Sequence, residues 1–202
     1  MTQLAFNGST APINPGINTW QELLTDLEAS KLADNEVISS VHFDGDEIVH
    51  FRNADALNVS LNSLQEIRVE AVGRNEMLRS AVQDAHSYLS SLKSSMLEIA
   101  EMFRSERQDQ GNARLQQLLE GLKTFLALSR GIELSICGMP TAESSAVEKA
   151  IEQMGPTLED QIGAQSQSDW MLLADILEYD LAPNLKAFED ILVGFKTRLG
   201  LN

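Results

Sequence analysis

The sequence predicts a mainly α protein: a four-helix bundle over about residues 75–199, preceded by a small α+β element with a β-hairpin and a third strand. Three observations predict this class. Apolar residues recur in alternating steps of four and three from Leu78 to Phe103, and a similar rhythm returns twice further along the chain. Residues 37–43 alternate with a period of two, which is typical of a strand. The first run, which only an α-helix places on one stripe, consists of Leu78, Val82, Ala85, Leu89, Leu92, Met96, Ile99 and Phe103.

The chain is expected to begin with a flexible leader over residues 1–18, where glycine and proline are frequent and no period is visible. Thr19 and Glu22 then match a capping box, in which each side chain bonds the backbone amide of the other residue. This pattern predicts a first helix that begins after Thr19 and ends near Ala33. The small α/β element is predicted to extend from residue 19 to residue 73.

Within that element the strand over 37–43 leads into Asp44-Gly45, a dipeptide typical of tight hairpin turns. Residues 48–52 are predicted as the return strand, and residues 66–72 as a third strand that ends at Gly73. An isolated hairpin is marginal in water, so the third strand or a helix must cover it. Residues 54–63 fit either a strand or a helical turn.

The helical bundle is predicted over residues 74–202, beginning with a long helix that ends near Arg107. A second helix ends near Arg130, and residues 132–138 are either helical or extended. A third helix covers about 147–162 and contains Pro156, which is expected to kink or split it. After a loop at 163–168, Asp169 is predicted to cap the last helix, in which Pro183 indicates a bend.

Composition excludes several classes of function. The chain has 15 Lys and Arg against 30 Asp and Glu, a net charge of −15. This charge repels nucleic acids and anionic membranes; it indicates either ordinary solubility or a surface for a basic or aggregation-prone partner. The single cysteine cannot form an internal disulfide, and neither a secretory signal nor a membrane-length apolar run is visible. A cytoplasmic location is therefore expected.

Candidate catalytic and metal-binding groups are sparse. His42 and His50, on the predicted hairpin near several carboxylates, fit a small metal site, although the same acidic residues are typical of a solvated turn. The only histidine in the predicted bundle, His86, has Gln83 three residues before it, so the Glu-x-x-His pattern of di-iron bundles is missing there. Cys137 has no basic neighbour in sequence and is expected to be a buried, inert thiol. The sequence thus predicts no metal, no cofactor and no catalytic residues.

Residues 169–181 are apolar on more than one side of a helix, which indicates a central position in the bundle or a partner surface. Trp170 and Tyr179, with Leu173, Leu177 and Leu181, are the candidate anchors for a partner. Helical spacing then assigns those three leucines to the core. It leaves the off-stripe Leu172 and Ile176, together with Trp170 and Tyr179, as the partner-binding residues. This second apolar side, with the long stripe before it, predicts a homodimer.

Two segments carry a resemblance to a known group of proteins. D-W-M-L-L-A-D-I-L-E-Y-D-L at 169–181 and E-G-L-K-T-F-L at 120–126 resemble a group of uncharacterised bacterial helical proteins, some of which are encoded near flagellar or motility genes. The resemblance covers about residues 66–195. It implies a helical fold without catalytic residues, to which the strand-rich start is an addition.

We therefore expect a non-catalytic cytoplasmic protein-binding module, an adaptor or export-type chaperone that uses an apolar helical surface. One alternative is an enzyme whose site is assembled from residues scattered in sequence. The other is an acidic mimic of nucleic acid, which would need its carboxylates along one face, whereas here they are dispersed between apolar positions.

Overall fold

The computed structural model describes residues 2–138, 141 and 144–200. The protein is mainly α-helical with an α+β region at its N-terminus. The chain divides into two compact units, Met1–Met77 and Leu78–Asn202, each with its own apolar core. Among the described residues, no helix is both long and apolar enough to cross a membrane.

The first unit contains a five-stranded sheet in the order β2-β1-β5-β3-β4. β1 pairs in parallel with β5, and the other neighbouring pairs are antiparallel. The third strand expected at 66–72 is confirmed as β5. The strands are β1 (Gln3–Phe6), β2 (Ser9–Ala11), β3 (Glu36–Phe43), β4 (Asp46–Glu47) and β5 (Glu66–Gly73).

The flexible leader predicted over 1–18 is wrong, because this segment supplies β1 and β2. Asn7 and Gly8 form the two-residue turn between them, with positive φ angles of 48° and 72°. Asn-Gly is a strong signal for such a turn, but the flanking strands of four and three residues are too short to show a period of two in the sequence. Leu4 on β1 is buried, and Asn7 Oδ1 accepts a hydrogen bond from the amide of Ala71 at 2.7 Å.

Helix α1 (Trp20–Ser30) begins with the predicted capping box: Thr19 Oγ1 accepts from the amide of Glu22, and Glu22 accepts from the amide of Thr19. Its apolar face and the inner face of the sheet form the first core, in which Trp20 is completely buried. That core consists of Leu4, Trp20, Leu23, Leu24, Leu27, Ile38, Val41, Phe43, Leu61, Ile67 and Val69.

The long return strand predicted at 48–52 is also wrong. β4 is only two residues long, and pairing continues no further than one bond from the Ile48 amide to the Val41 carbonyl. The chain then turns, because Trp20 holds it: the indole Nε1 donates to the Phe51 carbonyl at 2.8 Å, and the Trp20 amide donates to the Val59 carbonyl. The ambiguous residues 54–63 contain helix α2 (Ala54–Leu57) and a 3₁₀ turn (Leu61–Ser63).

The second core is formed by four helical parts of the chain. Helix α4 includes residues 132–137, so the undecided stretch is helical up to Cys137. Helix α5 continues through Pro156 without splitting and covers part of the predicted loop, because its buried residues on both sides of the proline pack on the same core. The four parts are α3 (Arg74–Arg104), α4 (Gln108–Cys137), α5 (Ala146–Ser166) and a C-terminal segment made of α6 (Trp170–Asp175), a π-helical turn (Ile176–Leu181), α7 (Ala182–Asn184) and α8 (Lys186–Arg198).

The π-helical turn changes the spacing of buried residues in the C-terminal segment. The neighbours Ile176 and Leu177 are buried, and the next buried neighbours are Leu181 and Ala182, a step of five. A π-helix bonds each amide to the carbonyl five residues back, so its turn is wider than the 3.6 residues of an α-helix. Pro183 lies in the short helix α7, which ends at Asn184, and the departure from regular α-helix begins seven residues before this proline, at Ile176.

Candidate partner-binding surface

Besides Met77 in the first turn of α3, four large apolar side chains are exposed on α3 and on the first half of the C-terminal segment. Leu97 is 49% exposed, Met171 56%, Leu172 47% and Tyr179 64%. Single exposed apolar side chains are common on any protein, so their relative positions decide whether they mean anything. We call Leu97, Met171, Leu172 and Tyr179 the seam surface, because they lie on the two elements that meet at the seam, α3 and the C-terminal segment.

Three ion pairs cross this seam, and two of them show how its two sides align. Lys93 Nζ lies 2.7 Å from Glu189 Oε1, and eleven residues further along α3 Arg104 pairs with Glu178. Glu178 lies eleven residues before Glu189, so residue numbers rise on one helix as they fall on the other. The two elements are therefore antiparallel. On α3, eleven residues make about three whole helical turns, so Lys93 and Arg104 lie on the same side of that helix.

Arg104 makes the largest number of polar contacts at the seam. Its guanidinium donates through Nη2 to Asp175 Oδ1 at 2.8 Å and through Nη1 to Glu178 Oε2, and it lies 5.8 Å from the centre of the Tyr179 ring. The hydrogen bonds to Asp175 and Glu178 raise the pKa of Arg104 above its ordinary value, so it stays charged. One side chain thus ties the end of α3 to both sides of the point where α6 becomes the π-helical turn.

An aromatic stack supports the same end of the seam from inside. The rings of Phe103 and Trp170 lie 5.5 Å apart and almost parallel, at 6°. Gly111, in the first turn of α4, packs against Phe103 so closely that a Cβ there would lie 2.8 Å from Phe103 Cε1. The end of α3 and the starts of α4 and α6 are therefore held together, which gives the exposed residues beside them a fixed backbone.

The structure separates the residues that sequence periodicity assigned to a partner. Leu173, Leu177 and Leu181 are fully buried, which confirms them as core. Leu172 and Tyr179 are exposed, as expected for a contact surface, and Trp170 is half-buried in the stack with Phe103. Ile176 is only 4% exposed, so placing it on the surface was wrong. The extrapolation used 3.6 residues per turn, whereas the wider π-helical turn rotates Ile176 inward.

Local sequence patterns do not single out Leu97, Met171 or Arg104. Leu97 follows the buried Met96 directly, and a single leucine beside the buried stripe of an amphipathic helix is common. Arg104 lies 71 residues from Asp175 in the chain, and no local pattern indicates a contact at that separation. The signal that was available is the contrast between Met171, an apolar residue, and the acidic residues that surround it at 169, 175 and 178.

The candidate metal site on the hairpin does not assemble as expected. His42 pairs with Glu47 across β3 and β4, but β4 ends there, so His50 lies in the following turn rather than on a paired strand. Within the described ranges, no three His, Cys, Asp or Glu side chains are grouped closely enough to hold a metal ion. His42 Nδ1 is shielded from solvent and has no hydrogen-bond partner in that part of the chain.

A cavity of about 460 Å³ at the end of α4 contains the candidate thiol. Cys137 is exposed rather than buried, which corrects the expectation, and Arg198 Nη1 lies 2.6 Å from its Sγ. Glu133 in the same cavity is 5% exposed, and its two oxygens accept from Ser145 Oγ at 2.6 Å and from the amide of Ala146 at 2.8 Å. This carboxylate therefore stabilises the start of α5.

Comparison with known proteins identifies one family. No curated protein and no solved structure matches the chain. Residues 80–191 match the model of a family described as a domain of unknown function, DUF8042. The matched range begins within α3 and ends within α8, so it contains Lys93, Arg104, Glu178 and Glu189, four residues whose ion pairs cross the seam. Because the match covers more than half of the chain, the protein belongs to the DUF8042 family.

Proposed function

We propose that this protein is a non-catalytic protein-binding module of the cytoplasm, an adaptor or export-type chaperone, which binds its partner through the seam surface. The helical unit then acts as a four-helix bundle that presents this surface. The observation that carries the proposal is the exposure of Leu97, Met171, Leu172 and Tyr179 along one seam whose backbone is fixed by Arg104 and by the Phe103–Trp170 stack.

Apolar exposure and a rigid backbone both favour binding at this surface. Apolar side chains that are half or more exposed gain free energy when a partner covers them, about 25 cal/mol for each Å² of apolar area. Tyrosine is over-represented among the residues that contribute most to binding, because it supplies a large contact area with few rotatable bonds. A backbone that is already fixed loses little further conformational entropy on binding. Tyr179, held beside the Arg104 guanidinium, meets both conditions.

The resemblance of residues 120–126 and 169–181 to bacterial helical proteins encoded near motility genes supports a choice of first partners. We propose flagellar export components and their substrates as those partners. This part of the proposal depends on the resemblance alone, and the seam surface stands without it.

The proposal is tested by affinity capture from a native cell extract with quantitative mass spectrometry. The full chain is compared with Tyr179→Ser and Leu97→Ser, and with Ile162→Ser as a matched control, because Ile162 is 64% exposed on α5 and lies outside the seam surface. We expect the same proteins on the wild type and on Ile162→Ser, and about a ten-fold loss of them on the two seam variants, since one well-packed anchor contributes 1–2 kcal/mol or more.

An equal set of captured proteins on all four forms would overturn the proposal, provided that the thermal melts of the variants match that of the wild type. Loss on Ile162→Ser but not on Tyr179→Ser would place the binding surface on α5 instead.

A further inference from the structure

Three exposed apolar residues follow one another along the seam at intervals of about two turns of an α-helix. Tyr179 lies at the level of Arg104. Leu97 lies seven residues before Arg104 on α3, about 10 Å along the axis in one direction. Met171 lies seven residues before Glu178 on the antiparallel segment, about 10 Å in the other direction. The seam surface therefore presents apolar contacts at intervals of about 10 Å over about 20 Å.

This interval matches an α-helix laid along the seam. Two turns of helix advance about 10.5 Å, so apolar residues at positions i, i+7 and i+14 of a partner helix would meet Met171, Tyr179 and Leu97 in turn. A partner strand advances about 3.3 Å per residue and needs a free sheet edge to bond. The seam consists of helices only, so it offers no such edge.

The charges around the seam are unbalanced. Three of its basic side chains are already paired: Lys93 with Glu189, Arg104 with Glu178 and Asp175, and Lys186 with Glu189 and Asp190. Asp175 and Asp190 remain 54% and 70% exposed despite these contacts. Glu101, one turn after Leu97, and Asp180, next to Tyr179, are exposed and have no cation within ion-pair distance in the described part of the chain. The rim of the surface is therefore acidic.

From the spacing and the charge together we infer that the seam surface binds an amphipathic α-helix of a partner protein, with an apolar residue every seven positions flanked by Lys and Arg. This inference rests on the proposed function and specifies the chemistry of its partner. A second copy of this chain fits less well, because its own acidic rim would meet the acidic rim of the first across a two-fold axis. The basic flanks of the inferred helix would instead neutralise Glu101, Asp175 and Asp180.

The test uses the full chain and fluorescein-labelled synthetic helical peptides of about 18 residues, followed by fluorescence anisotropy. One peptide has leucine at heptad spacing with lysine between, the second replaces every lysine with glutamate, and the third has the composition of the first in an order without a stripe. We expect the striped Leu/Lys peptide to bind at least about ten-fold more tightly than either of the others. Its affinity should fall as salt is added.

Variants assign the binding to the seam. Tyr179→Ser should lower the affinity for the striped Leu/Lys peptide about ten-fold, and Ile162→Ser should leave this affinity unchanged. The double variant Glu101→Gln with Asp180→Asn should lower the affinity for the same peptide about three-fold at low salt. At high salt it should have no effect, because salt screens the attraction between exposed rim charges and the peptide.

Three results would overturn the inference. Equal binding of the Leu/Lys and Leu/Glu peptides would mean that the partner is not basic. Equal binding of the striped and unstriped peptides would mean that only the net charge of the protein is sensed. Sedimentation equilibrium that shows a dimer, converted to a monomer by Tyr179→Ser, would assign the surface to a second copy, the homodimer expected from the sequence.

The inference and the proposed function fail separately. If no peptide binds but the capture of proteins from extract still requires Tyr179, the partner is not a basic helix and the proposed protein-binding function is retained. If neither measurement depends on Tyr179, both are wrong.

Discussion

At Gly111 the packing leaves no space for a side chain. An added Cβ would lie within 3.0 Å of three atoms of the Phe103 ring. The stack with Trp170 restrains this ring, so it cannot easily move aside. We expect Gly111→Ala to lower the free energy of unfolding by about 1–3 kcal/mol, the usual cost of overpacking a core. Thermal and urea melts measure this change.

The control for Gly111→Ala is Gly131→Ala, in the same helix. A Cβ at Gly131 meets nothing within 4 Å, so the better helix propensity of alanine should raise the free energy of unfolding by about 0.5–1 kcal/mol. If both variants proved more stable than the wild type, the Phe103–Trp170 stack would be able to shift, and its role in fixing the seam would be refuted.

Ile176 and Tyr179 lie in the same π-helical turn and should respond to substitution in opposite ways. Ile176→Asp buries a carboxylate without a partner and should unfold the protein or severely destabilise it. Leu177→Ala should cost about 2–5 kcal/mol as an emptied leucine site. Tyr179→Ser should change the melting temperature little, because the side chain is 64% exposed. Calorimetry on the three variants checks this order, and a stable, folded Ile176→Asp would contradict it.

At the scale of helices, ion pairs make the association of α3 with the C-terminal segment dependent on pH. The pKa of Glu189 is lowered, mainly by the hydrogen bond from Lys93 Nζ. A carboxyl group with a lowered pKa adds stability that is present above its unfolded pKa, about 4.3, and is lost as the pH falls through its lower folded value. Stability should therefore decline below about pH 5.

The variant Glu189→Gln tests the contribution of this carboxylate. It should melt at a lower temperature than the wild type at pH 7, and the difference should shrink as the pH falls from 5 to 3, because the wild type loses the same charge by protonation. Glu120→Gln is the matched control, since Glu120 pairs with Lys123 on the exposed face of α4, where the partners are 68% and 72% exposed. A pH-independent difference for Glu189→Gln would show that Lys93 contributes nothing at the seam.

The elements that periodicity predicted well are those whose apolar residues repeat for many turns. The stripe from Leu78 to Phe103 is buried at all eight positions because α3 is regular from end to end. The errors fall where a tertiary contact overrides the local pattern. Trp20 holds residues 51–59 away from the sheet, so the return strand ends at β4, and the pairing of β1 with β5 gives order to a segment that looked like a leader.

The seam surface was predictable only in part. The exposed positions of Leu172 and Tyr179 follow from the stripe through Leu173, Leu177 and Leu181. The position of Ile176 does not, because sequence alone gives no warning of a π-helical turn. The pairing of Arg104 with Asp175 and Glu178 depends on how α3 and the C-terminal segment align, and side chains so distant in sequence carry no shared local pattern.

For the whole molecule, the separate cores predict that the two units unfold separately. Each unit contains one of the two tryptophans, Trp20 in the first and Trp170 in the second. In the variant Trp170→Phe, the fluorescence of the remaining Trp20 reports on the unfolding of the sheet unit. Circular dichroism at 222 nm reports mainly on the unfolding of the helices. We expect the two signals to give different denaturation midpoints, because the cores share no residue. Coincident transitions by both probes would refute separate unfolding.

The strand order of the first unit determines when its strands can pair during synthesis. β1 lies between β2 and β5, and its parallel partner is made about sixty residues after it. At translation rates of about 5–20 residues per second, the interval lasts roughly 3–12 seconds. During that time β1 and β2 form at most an isolated hairpin, which is marginal in water, and Leu4 has no core to enter. The strands of this unit that are synthesised first are therefore among the last to become stable.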